Sequence, residues 1–151
     1  MPNPLLADDR AALFLPERFP LRWASAWGED EYGLWMTLEL GEARQRFRWI
    51  APGTFRMGSP ADEPGRNGDE VPHEVTLSEG YWLADTACTQ ALWQAVTGGN
   101  PSGFKDHPEL PVEQVSWDDV QDFLGELNRR LPGLEARLPS EAEWEYACRA
   151  G

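Results

Sequence analysis

The first regular signal along the chain is an alternation. In "YGLWMTLEL", residues 32–40, Leu34, Met36, Leu38 and Leu40 fall on one side of an extended strand. "EARQRFRWI", residues 42–50, repeats the period of two with Phe47 and Trp49. The "GE" between them is a turn signal, so the two stretches predict a β-hairpin. "GTFRMGS" predicts a further strand with Phe55 and Met57 on one face, and "HEVTL" another with Val75 and Leu77 inward. "GYWLADTACT" predicts a strand that ends where Thr89 can cap a helix.

From there the period lengthens to that of a helix. In "QALWQAVTGG" the apolar positions Leu92, Trp93 and Val96 share a face, and Gly98-Gly99 supplies the stop. "VSWDDVQDFLGELNRRLPG" carries Val120, Phe123, Leu124, Leu127 and Leu131 on one stripe. Ser116 is its N-cap, with Asp119 at the third helical position. Arg129 and Arg130 sit in the last turn, where cations suit the helix dipole. The segment "RLPSEAEWEYACRAG" repeats this grammar, with Ser140 as N-cap and Glu143 completing an S-x-x-E box, so a helix begins near Glu141. Before the hairpin, residues 1–31 are punctuated by prolines and read as an arm, with a short turn near Asp9–Leu15. Residues 32–151 read as the folded domain.

Composition sharpens this picture. Eight tryptophans stand beside fourteen glycines and thirteen prolines. Many large rings with many chain-turning residues imply a loop-rich α+β fold pinned by aromatic side chains. The formal net charge of −13 makes nucleic acid and anionic membranes poor partners. Arg44, Arg46 and Arg48 alternate with Gln45, Phe47 and Trp49, and read as the solvated face of a strand. Two cysteines without a CxxC make no disulfide framework. The first twenty residues show neither a basic region nor a long apolar run, so a cytoplasmic location is expected.

Candidate chemistry is sparse. The loop "SPADEPGRNGDEVP" carries Asp62, Glu63, Asp69 and Glu70, with His73 just beyond it. Clustered carboxylates invite a calcium ion, because hard cations want several oxygen ligands. The spacing fits no EF-hand, and a solvated acidic loop is the plainer reading. His73 is a candidate metal ligand or, more simply, a hydrogen-bonded structural residue. Asp118, Asp119, Glu141 and Glu143, with His73, are the candidate acid–base groups. All four carboxylates lie in first turns of helices, where capping and the dipole already account for them.

Taken in order, "WIAPGTFRMGSP", "DEVPHEVTLSEGYWLADTACTQALWQAVTG", "NPS", "LPVEQVSWDDVQDFLGELN" and "RLPSEAEWEYACRAG" resemble the formylglycine-generating enzyme family, the sulfatase-modifying-factor domain. The resemblance covers about residues 47–151, and the stretch upstream resembles an extension of some bacterial members. It implies a variant of the C-type-lectin fold. It also implies that R-L-P-S-E-A-E-W-E-Y-A is a mid-domain landmark, so that this sequence holds the N-terminal half of a truncated domain. The family activity is an O2-dependent oxidation of protein cysteine. Its copper-binding cysteine pair and calcium-binding loops belong to the second half, so the resemblance carries no catalytic or metal position onto this sequence and implies no cofactor bound by it. Cys148, where the pattern usually has Ala, reads as a packed, inert thiol. Family members also serve as binding scaffolds, some of them joined to bacterial conflict systems. Two expectations follow. One is a non-catalytic binding or assembly module, a pseudoenzyme, that engages a protein partner through the last helix at Trp144, Tyr146 and Cys148. The other is the N-terminal part of a copper-dependent oxidase, or of a related nonheme metal oxygenase, whose second half is missing or supplied by another chain.

Overall fold

A computed structural model of the chain describes residues 15–149. The turn expected near Asp9–Leu15 therefore lies outside the described residues but for Leu15. The elements are β1 (Ala26–Asp30), β2 (Gly33–Leu40), β3 (Ala43–Ile50), β4 (Gly53–Met57), β5 (His73–Leu77), β6 (Tyr81–Ala84), α1 (Gln90–Thr97), α2 (Trp117–Arg130) and α3 (Glu141–Arg149). One sheet has the order β1-β2-β3-β6, and β4 and β5 make a separate antiparallel pair. The architecture is α+β, with long connections. The chain divides into two compact units. One contains Ile50–Tyr81 and the segment from Pro139 onward; the other contains Arg18–Trp49 and Trp82–Leu138.

In the second of these units the hairpin forms as the alternation predicts. Leu40 pairs with Ala43, leaving Gly41 and Glu42 as a two-residue loop. Met36, Leu38 and Ala43 are buried on the core face. Gln45 shares that face because it stands opposite Leu38, and it is only 3% exposed despite its arginine neighbours. Its Nε2 donates to the Arg46 carbonyl and to Thr86 Oγ1, each at 3.1 Å.

The arginine face is more organised than a solvated strand. Arg44 pairs with Glu39 at 3.3 Å, and Arg46 lies over the Trp35 ring at 4.6 Å. Arg48 donates to both carboxylate oxygens of Asp30, at 2.8 and 3.1 Å, and reaches Asp85 at 3.7 Å. The Arg48 guanidinium holds the Asp30 carboxyl below its ordinary value. The exposed Arg44–Glu39 pair contributes at most about 1 kcal/mol, so its effect is to order side chains rather than to hold the fold.

One strand departs from the sequence reading. Ala26–Asp30 falls in the stretch read as an arm, yet it pairs antiparallel with β2, from Ala26↔Thr37 to Asp30↔Gly33. Five residues with a glycine and two acids carry no apolar alternation, so the strand depends on the edge that β2 offers. The arm is anchored by rings as well: Phe19 stacks on Trp82 at 5.8 Å, and Trp23 meets Phe47 edge-on at 5.6 Å.

The core of this unit joins Leu38 and Ala43 to Leu92, Trp93 and Val96 of α1 and to Phe123 and Leu127 of α2. Trp93 and Phe123 stack at 4.8 Å with their planes 1° apart. Both helices start as expected. Thr89 accepts from the Leu92 amide, and Ser116 and Asp119 form a reciprocal capping box. Arg129 and Arg130 both donate to Glu126, and hold its carboxyl down at about 2. A buried amide organises the loop after α1. Gln90 donates to the carbonyls of Phe104 and Pro111, at 2.7 and 3.2 Å, and accepts from Asn100 at 2.8 Å. Three bonds satisfy a side chain that is 2% exposed, which fixes the "NPS" turn without regular structure.

Candidate functional site

The candidate site lies in the unit built on β4, β5 and α3. Nine residues make too short a helix to persist alone in water, so α3 depends on what pins it. Its start is fixed by the predicted box: Ser140 Oγ accepts from the Glu143 amide at 3.2 Å, and Glu143 Oε2 accepts from the Ser140 amide at 2.7 Å. Tyr81 donates its hydroxyl to the Glu143 carbonyl at 2.5 Å. Tyr146 tilts against Phe55 of β4 with ring centroids 5.2 Å apart. A methyl group at Gly53 would collide with the Tyr146 hydroxyl, so only glycine admits the ring there.

The far end of α3 is latched to the turn after β4. Gly58 donates its amide to Glu145 Oε1 at 2.9 Å, and Arg149 donates to the same oxygen at 2.7 Å and to the Gly58 carbonyl at 3.0 Å. The Gly58 amide, helped by Arg149, holds the Glu145 carboxyl below its ordinary 4.5. A depressed carboxyl stabilises the folded state above the unfolded value, and that stabilisation is lost as pH falls through the folded value. Below pH 4.5 the latch is therefore expected to loosen. The protection factors of the α3 amides should fall there, while a Glu145→Gln variant, loosened already, should show a flatter pH response.

The three residues predicted to bind a partner separate by face. Tyr146 is turned inward and spent on β4. Trp144 is 58% exposed, and Cys148, four residues on, is exposed beside it. The expectation of a packed Cys148 thiol is thus corrected: the position falls on the outer stripe with Glu141 and Trp144, because the inner stripe belongs to Tyr146 and Glu145. No residue of α3 is fully buried.

The candidate metal ligands are not drawn together. Asp62, Glu63 and Asp69 are exposed along the loop. Glu70 is occupied by Ser59 Oγ at 2.5 Å and the Asn67 amide at 3.1 Å, which hold its carboxyl low. His73 Nδ1 lies 2.9 Å from the Val71 carbonyl, a pairing in which the ring nitrogen donates. Among the described residues no group of three or more His, Cys, Asp or Glu is arranged to hold a metal ion. The acidic loop thus does not present calcium's oxygen set. For copper, burial pushes the Cys88 thiol up to about 11, which opposes the thiolate that Cu(I) favours, and Cys88 and Cys148 are both free. These residues do not fit either ion. Of the acid–base candidates, Asp119 and Glu143 each close a capping box, while Asp118 and Glu141 are exposed in the first turns of their helices. Sequence reasoning missed the Glu145 latch, whose partners stand 87 residues apart and carry no local signal.

The description "sulfatase-modifying factor enzyme 1-like domain" matches residues 39–151. The chain belongs to the formylglycine-generating enzyme–sulfatase family. Among curated relatives, this family member is 31% identical to the chaperone protein LppX of Paenibacillus barcinonensis over 51% of the chain. It is 39% identical to the inactive C-alpha-formylglycine-generating enzyme 2 of Mus musculus over 41%, and 34% identical to the formylglycine-generating enzyme of Thermomonospora curvata over 56%. It covers 38%, 18% and 24% of those relatives' lengths, respectively. Two solved structures share the fold at 26% identity. Treponema denticola variable protein 1 has a TM-score of 0.62 over 78% of the chain and 57% of its own. PvdO from Pseudomonas aeruginosa has 0.65 over 76% and 51%.

Proposed function

We propose that the chain is a non-catalytic binding or assembly module of the formylglycine-generating enzyme–sulfatase type, and that a protein partner seats on the outer face of α3. The observation that carries this reading is Trp144, 58% exposed on a short helix whose other face is pinned by Tyr146, Glu145 and Arg149. Exposed aromatics on a rigid support are what protein interfaces use as anchors. Relatives named as an inactive enzyme and as a chaperone favour a role without chemistry. A cytoplasmic location and a place in a bacterial defence or other multi-protein assembly belong to the same proposal. A second reading, the N-terminal part of a copper-dependent oxidase, is favoured by the 34% identity to a formylglycine-generating enzyme of which the chain covers 24%.

Alkylation of Cys148 separates these readings. The thiol should react readily in the purified chain and be protected in extracts of the native host, with crosslinking from the α3 face naming the protecting chain. Trp144→Ala should abolish that protection while shifting the melting midpoint little, since an exposed ring contributes little to folding. Equal reactivity in both settings would sink the binding reading. Oxidation of a cysteine peptide by the chain with copper and O2 would overturn its non-catalytic part. Oxidation only when a second, protecting chain is added would establish the oxidase reading.

A further inference from the structure

The acidic loop between β4 and β5 carries a reactive dipeptide, Asn67-Gly68. We infer that Asn67 is a self-modification site: the Gly68 amide nitrogen attacks its side-chain carboxamide, and water then leaves aspartate or isoaspartate in its place, undoing the clamp that Glu70 makes across the loop.

The chemistry balances with water as the sole co-reactant. The Gly68 N–H gives its proton to solvent base, the bond from nitrogen to Cγ forms, and the Cγ–Nδ2 bond breaks as ammonia leaves. Water then opens the cyclic succinimide. Cleavage at Cγ gives aspartate. Cleavage at the backbone carbonyl gives isoaspartate, in which the main chain runs through the side chain. Of the four asparagines in the sequence, Asn67 is the one suited to this. Asn3 and Asn100 precede prolines, which have no N–H to ionise. Asn128 lies inside α2, with both polar side-chain atoms bonded to Ala136. Asn67 and Gly68 are exposed, and the Gly68 amide makes no hydrogen bond among the described residues. Glycine has no side chain to shield that nitrogen or to restrict its approach to the carboxamide.

The product conflicts with its surroundings. Glu70 Oε1 accepts from the Asn67 amide at 3.1 Å, and Oε2 accepts from Ser59 Oγ at 2.5 Å. The Glu70 amide donates to the Asn67 carbonyl at 3.3 Å, and its carbonyl accepts from the Ser59 amide at 3.2 Å. The Asn67 side-chain amide bonds the same carboxylate. An ionised carboxylate at position 67 has no hydrogen to donate and opposes Glu70 charge to charge. Isoaspartate also adds a methylene to the main chain inside the Asn67–Glu70 turn. The loop therefore loosens with age, and faster at alkaline pH, where more of the Gly68 amide is ionised.

Peptide mapping of the purified chain after incubation at mildly alkaline pH tests this. A mass gain of about 1 Da should appear at Asn67 at least about tenfold faster than at Asn100 or Asn128, with isoaspartate in the product detected by isoaspartyl methyltransferase labelling. Gly68→Ala should slow the gain at least about tenfold by shielding the nitrogen. An added Cβ there meets no atom within 4 Å, and Gly68 lies outside the left-handed region, so the fold should be kept. Should that variant fail to fold by circular dichroism, Asn67→Gln, whose longer side chain must close a larger ring, replaces it with the same expected slowing. Asn67→Asp should lower the hydrogen-exchange protection of the Ser59 amide at least about tenfold. Modification of Asn67 no faster than of Asn128, an unchanged rate in the variant used, or full Ser59 protection in Asn67→Asp would overturn the inference.

Discussion

Replacing Trp93 with alanine is expected to destabilise its unit by about 3–5 kcal/mol, the range for truncating a large buried ring. Trp93 is 6% exposed and stacked on Phe123, which is 5% exposed. The loss has two parts: apolar area returned to water, and a void that Leu92, Val96 and Leu127 cannot fill without moving. Domains of this size hold about 5–15 kcal/mol in all, so the variant should lie near the edge of folding. Urea denaturation followed by tryptophan fluorescence measures it. Phe123→Leu keeps more volume and should lose less. A Trp93→Ala change below about 1 kcal/mol would mean that the stack contributes little beyond the exposed average.

Gly58→Ala is expected to cost about 2–4 kcal/mol, from two causes. The residue has φ of +95°, where a side chain adds about 1–3 kcal/mol of strain. An added Cβ would also stand 2.8 Å from the Val71 carbonyl oxygen and 3.0 Å from its carbon, and backbone has little room to yield. The same glycine anchors α3 through both its amide and its carbonyl. The effect should therefore reach the helix: α3 amides should exchange faster, and Trp144 fluorescence should change. A double-mutant cycle with Glu145→Gln separates strain from latch. Removing the latch first should shrink the penalty of Gly58→Ala, because the two changes share one hydrogen bond. Full additivity would show that Gly58 acts through backbone strain alone.

Much of the fold was legible because its signals are local. The hairpin needed only a period of two and a "GE" turn. The helices needed only apolar stripes with Thr89, Ser116 and Ser140 in front of them, and side chains that cap do so within three residues. The family could be read from short strings in order. The candidate site was half legible. Trp144 was selected from the sequence and is exposed, but Tyr146 on the same helix points the other way. A helix reading gives the angle between the two side chains. It does not say which of them meets β4. In the acidic loop Asp62, Glu63 and Asp69 are exposed, as a solvated loop would have them, whereas the capture of Glu70 by Ser59 and Asn67 had no signal in the sequence.

By itself the sequence determined the periods, the caps, the turns and the net charge of −13, all of which depend on residues within a few places of each other. Only the tertiary structure decided the remainder. It made a strand of Ala26–Asp30, because an open sheet edge outweighs weak propensity. It buried Gln45 on the core face beside Leu38 and Gln90 among the polar groups of Asn100, Phe104 and Pro111, because neither placement is set by residues next to it in sequence. It bound Glu145 to Gly58 and left Trp144 outside, because those choices follow from contacts formed after the chain has turned back on itself. Hydrogen bonds and apolar burial act over a few ångströms in space, and sequence distance does not record them.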